Sequence, residues 1–231
     1  MTLLLLFDID GTLLLKATRE HAESLHAALK RVYHLHEPFG RVEAAGRTDG
    51  AIARSILLQA GVDADRIDAH MPDVRRISCQ EYARRCPPDL SDHLAPGIGP
   101  VLDRLGKVRG LQLSLVTGNL EPIARLKLER AGIAHHFPSG QGGFGSDDDD
   151  RAALPEIARR RAGDDGRPYP RGKTIVIGDT PRDIACARAD GVRVIAIATG
   201  PFAADQLQDA DAVIHSAREL PGALKALLAP A

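Results

Sequence analysis

The chain has 231 residues, 44% of them apolar and 26% charged, with a formal charge of −1. This is ample material for a packed core, which excludes an intrinsically disordered chain, and the near-neutral balance offers no basic field for nucleic acid or a membrane surface. Cys79, Cys86 and Cys186 are odd in number and lack CxxC spacing, so neither a disulfide framework nor a zinc site is implied, and a cytoplasmic location fits. The opening LLLLF has no basic segment before it and runs straight into acidic residues, unlike a signal peptide. No stretch approaches the ~20 apolar residues that a membrane span needs.

The first predicted element is a strand over residues 3 to 9, continuously apolar up to Asp8, as expected for a strand buried on both faces of a parallel sheet. Residues 17–93 then break away into helix-forming sequence (REHAESLHAALKRVYHL, GAIARSILLQAG, VRRISCQEYARRC), read as an inserted domain of some four helices. PPDLSDHLAPGIGP leads back into the core. From there strands alternate with helices. A helix over 99–108 precedes the strand LQLSLVTGN (111–119), and a helix over 120–132 follows it. After DDDD (147–150) come a helix over 150–163, the strand KTIVIGDT (173–180), a helix over 181–191 and the strand RVIAIATG (193–200). A weak strand near Ala212 to His215 closes the series. The alternation predicts an α/β fold, a doubly wound parallel sheet formed by residues 1–16 and 94–231, with the helical insertion at 17–93.

In such a sheet, ligands gather at the carboxyl ends of the strands. That rule brings Asp8-Ile-Asp10-Gly-Thr12, Val116-Thr-Gly-Asn119, Asp150-Arg151 and Gly178-Asp-Thr-Pro-Arg-Asp183 to one rim. Asp8, Asp10 and Asp179 then converge, and three carboxylates repel one another unless a cation sits among them. An all-oxygen set of this kind suits Mg²⁺. Taken singly, each segment has a plainer reading, as an Asx-turn, an ordinary turn or a helix N-terminus. Four unrelated turns would not be expected to supply this set of chemistries together.

In this order the four segments resemble the motifs of the haloacid dehalogenase superfamily, specifically its phosphatases with a helical cap inserted after the first motif, of the phosphoglycolate phosphatase-like kind. The resemblance implies a Mg²⁺-dependent phosphatase of small phosphorylated metabolites, acting as a monomer or homodimer. Asp8 would be the nucleophile that forms an aspartyl-phosphate. Asp8, the Asp10 carbonyl and Asp179 would hold the metal, supported by Asp183, while the Asp10 side chain would act as general acid and base. Thr117, Gly11, Gly118 and Asn119 would hold the transferring oxygens. The family's third-motif lysine is missing, since no lysine occurs between Lys127 and Lys173. Arg151 is the expected substitute, a permanently charged group able to bridge two oxyanions, and Lys127 stands too far along its helix to be favoured. In the insertion, Gly46-Arg47-Thr48-Asp49 reads either as a helix cap or, by the resemblance, as a specificity loop in which Arg47 meets an anionic group of the substrate. A phosphomutase of the same fold and a catalytically weak phosphometabolite-binding protein are the alternatives. The DDDD run reads as a solvated loop with a helix N-cap, and His34-x-His36 and His135-His136 as surface residues.

Overall fold

In the computed structural model, which describes residues 2–35, 39–40 and 42–229, six parallel strands form one sheet in the order β3-β2-β1-β4-β5-β6. The strands are β1 (Leu3–Phe7), β2 (Leu111–Thr117), β3 (Gly143–Phe144), β4 (Thr174–Gly178), β5 (Arg193–Ile197) and β6 (Ala212–Ile214). Helices α1 (Arg19–Tyr33), α2 (Asp49–Gln59) and α3 (Ala64–Arg85) come from the insertion. The rest, α4 (Ile98–Leu105), α5 (Glu121–Arg130), α6 (Leu154–Ala162), α7 (Pro181–Ala189) and α8 (Leu220–Leu228), flank the sheet. None of the helices among the described residues is long and apolar enough to cross a membrane.

The unbroken apolar run of β1 is explained by burial on both sides. Leu5 and Phe7 pack with residues of α4, α5 and α8, whereas Leu4 and Leu6 pack with residues of α6 and α7. All four are fully buried, and each contributes about 1.5–3 kcal/mol in removal of apolar surface from water. Helices α1, α2 and α3 enclose a separate apolar cluster that includes Leu25, Leu29, Leu57, Ile67 and Val74. Tyr82 of α3, with Leu120 and Ile123 beside the start of α5, forms the apolar joint between these helices and the sheet domain.

Two elements differ from the sequence reading. The insertion contains three α-helices and a short 3-10 turn, Ser91–His93, among the described residues, because α3 runs unbroken through Pro72 for 22 residues. Val74 and Ile77 on the turns after the proline are buried in the helix cluster, and this packing outweighs the lost backbone hydrogen bond. Strand β3 was not anticipated; two residues, Gly143 and Phe144, are too few to show an alternation, and its place beside β2 comes from tertiary pairing.

Candidate active site

The parallel register sets the rim. Phe7 of β1 pairs with Leu115 of β2 and Ile177 of β4, so Asp8 leaves the sheet level with Gly178, one residue before Asp179. The Asp8 amide still donates to the Ile177 carbonyl at 2.9 Å, which fixes the carboxylate as the strand ends. Gly11 then turns the chain back with φ +97°, and a Cβ at this position would strike the Asp179 carboxylate. Only glycine satisfies both conditions.

Asp8, Asp179 and Asp183 present oxygens within 4.8 Å of one another, all buried. Burial drives the Asp8 carboxyl up to about 6, with Arg151 opposing and the charges of Asp183 and Asp10 adding to the rise. Asp179 is pushed further, to about 8, again by burial first and then by the charges of Asp183 and Asp8. Its Oδ1 accepts from Thr12 Oγ1 at 3.0 Å, but its Oδ2 is buried without a hydrogen-bond partner. An orphaned carboxylate oxygen inside an acidic cluster is the arrangement a hard divalent cation satisfies, and the residues fit one. Because both carboxyls bind protons more tightly folded than unfolded, the stability that these two groups contribute to the metal-free protein is lost as pH rises from about 4 through about 8. A divalent cation must displace those protons, so its stabilising effect is expected to grow over the same interval. Thermal melts with and without MgCl₂ at pH 5.5 and pH 8 check this; a larger metal-induced rise in Tm at the lower pH would contradict it.

Asp183 is held by a capping box at the start of α7. Its Oδ2 accepts from the Thr180 amide at 3.0 Å and the hydroxyl at 2.7 Å, and its Oδ1 accepts from Arg151. Arg151 also lies 3.2 Å from Asp8 Oδ1 and is buried between the two carboxylates, which hold its guanidinium firmly charged. Asp150 positions it by accepting the Ala152 amide at 2.9 Å. Thr117 is buried behind the rim, its Oγ1 facing the Asn119 amide at 3.4 Å. Gly118 lies against the backbone of Arg47 and Thr48, where a Cβ would clash.

Lys127 occupies a place the sequence reading denied it. It is fully buried, and its ammonium donates to both Asp10 oxygens at 2.8 and 2.6 Å and to Asn119 Oδ1 at 2.8 Å. Distance along α5 misleads because long helical side chains run back toward the N-terminus, which here points at the rim. Burial raises the affinity of Asp10 for its proton, but Lys127, His21 and the Asn119 amide outweigh it, and the carboxyl lies below its ordinary range.

The insertion contributes two further groups that sequence reasoning missed. His21 of α1 lies 3.1 Å from Lys127 Nζ through Nδ1 and 3.0 Å from Asp49 Oδ2 through Nε2. Asp49 accepts the Leu120 amide at 2.8 Å. The available signal was Thr48-Asp49, weighed as a helix cap. Thr48 does cap α2, accepting the Ala51 amide at 3.2 Å, and it also donates to the Asp149 carbonyl at 2.7 Å. Arg47, expected to face substrate, lines the cavity beside Asp8 and Asp10, and its Nη2 donates to the Ala51 carbonyl at 3.0 Å and to Ser55 Oγ at 2.6 Å, both in α2.

The aspartate run is structural. Asp147 pairs with Arg161, Asp149 with Arg75 of α3, and Asp150 caps the turn containing Arg151. His136 lies 3.3 Å from Asp103 of α4, a neighbour brought there by packing rather than local spacing. His36 lies outside the described residues.

Residues 5–188 match the family model of haloacid dehalogenase-like hydrolases, and the chain belongs to this family. It is 30% identical over 216 residues to a phosphoglycolate phosphatase of Chromobacterium violaceum, covering 93% of this chain and 92% of the relative. It is 28% identical over 208 residues to the tyrosine-protein kinase PtkA of Mycobacterium tuberculosis, covering 87% of this chain; it spans only 64% of that relative's length. Among solved structures, one provisionally assigned as a beta-phosphoglucomutase, from Bacteroides vulgatus, superposes with a TM-score of 0.67 at 25% identity, covering 99% of this chain and 91% of that one.

Proposed function

We propose that this protein is a Mg²⁺-dependent phosphatase of small phosphate monoesters, working through an aspartyl-phosphate on Asp8, with residues 17–93 serving as a cap domain over a core of residues 1–16 and 94–231, in the cytoplasm. The observation that carries the reading is the juxtaposition of two differently tuned carboxyls. Asp8 sits in the acidic cluster beside Arg151, and Asp10 sits beside Lys127.

Asp8, Asp179 and the Asp10 carbonyl would hold the Mg²⁺, with Asp183 behind them. A carboxylate facing a phosphate dianion meets repulsion of about 4 kcal/mol per charge pair at 4 Å and an effective dielectric near 20. When bound, the cation offsets that repulsion and orients the phosphoryl oxygens. Arg151, 3.2 Å from Asp8 Oδ1, offsets its charge, and the Gly118 and Asn119 amides would receive the remaining oxygens. Asp8 attacks phosphorus as the ester oxygen leaves with a proton from Asp10. The arriving dianion raises the proton affinity of Asp10, since a like charge opposes ionisation. In the second step Asp10, returned to the ionised state that Lys127 favours, accepts a proton from the water that hydrolyses the aspartyl-phosphate.

The test is a panel of phosphate monoesters assayed with Mg²⁺ and with chelator. Metal-dependent release of inorganic phosphate supports the reading, and an isomeric sugar phosphate in its place would indicate a mutase. Arg151→Ala should lower turnover at least tenfold, measured by steady-state kinetics. Unchanged kinetics would remove Arg151 from the mechanism.

A further inference from the structure

The cavity beside Asp8 and Asp10 has a volume of about 1000 Å³ and extends deep into the helical insertion. At about 30 Å³ per water, that is room for roughly thirty water molecules, far more than a phosphoryl group with a two-carbon leaving group would displace. The wall away from the carboxylates includes Leu25 of α1, Phe39 and Val42 of the connection to α2, and Ile52 and Ile56 of α2. Each of these belongs to the apolar cluster of the insertion or packs against it, so the hydrocarbon surface is backed by a rigid core.

Among the polar residues that line the cavity, Arg47 is bonded through Nη2 to Ala51 and Ser55 of α2, and His21 is held between Asp49 and Lys127. The His26 ring lies 4.9 Å from that of Phe39, and Lys16 is exposed. The wall of Leu25, Phe39, Val42, Ile52 and Ile56 offers aliphatic and aromatic side chains, which gain from covering apolar surface.

Resting on the phosphatase reading above, we infer that the substrate is a phosphate monoester of an uncharged alkyl or aryl alcohol, whose apolar body lies against Leu25, Phe39, Val42, Ile52 and Ile56. In its hydrolysis the ester P–O bond breaks and water supplies the new one. One water proton ends on the alcohol and the other on the phosphate.

The experiment measures binding and turnover separately on the full chain with Mg²⁺ present. Calorimetric titration with methyl-, butyl- and octylphosphonate, which cannot be hydrolysed, should show affinity rising about two- to fourfold per methylene. Ile52→Asn should reduce that gain. In parallel, kcat/KM is measured for ethyl, butyl, octyl and phenyl phosphate and for 2-phosphoglycolate. Affinity independent of chain length, or 2-phosphoglycolate as the best substrate, would overturn the inference while leaving a phosphatase. Chain-length-dependent binding with no turnover of any ester would instead reject the phosphatase reading and uphold the apolar site.

Discussion

Asp8→Asn is expected to lower turnover by about 10⁴-fold or more, the scale on which loss of a nucleophile acts. The amide has nearly the shape of the carboxylate but cannot attack phosphorus at a useful rate. The variant should remain folded. Burial, with the charges of Asp183 and Asp10 adding to it, lifts the Asp8 carboxyl to about 6, so at neutral pH the native state gains little from its ionisation. Arg151 keeps its bond to Asp183. A melting temperature in metal-free buffer equal to or above that of the unaltered protein, with no phosphoryl group on the acid-quenched variant, is the expected pair of results. Retained burst-phase release of the alcohol would mean that another residue accepts the phosphoryl group.

Lys127→Met is expected to be costly in both stability and activity. The methionine fills similar space but leaves Asp10, Asn119 Oδ1 and His21 Nδ1 without the ammonium they share. Removing one partner of a buried ion pair destabilises by about 3–5 kcal/mol. For a chain of this size each kcal/mol corresponds to about 2–4 °C, so Tm should fall by roughly 6–20 °C. Burial would then dominate at Asp10 and raise its carboxyl above the ordinary range, reversing the present shift. The rate limb that requires ionised Asp10 should move to higher pH, so the loss should exceed a hundredfold at pH 6 and be smaller at pH 8. An unchanged melting temperature and pH profile would show that Lys127 is not coupled to Asp10 in solution.

The two predictions concern residues of very different legibility. Asp8 could be read from seven consecutive residues, because a doubly buried strand ending in carboxylates has few plain explanations. Lys127 could not. Its chemistry depends on which way a helix points and how far a flexible side chain reaches, and neither is encoded in local spacing. His21 and Asp49 were hidden for a related reason. They lie in an insertion whose contact with the rim depends on helix packing, where Tyr82, Leu120 and Ile123 meet. The commitment of Arg47 to Ser55 was equally out of reach, since Arg47 and Ser55 meet only because α2 forms between them.

The sequence alone determined the α/β alternation, the strand order of chemistry-bearing segments along the chain and the acidic character of the rim, because apolar periodicity and strand termini are local properties. Tertiary structure decided which carboxylate is paired with which cation and what kind of surface lines the cavity beside them. Those depend on distances of a few ångströms between side chains up to 167 residues apart, as between Thr12 and Asp179, and such distances are fixed only when the sheet register and the helices are in place.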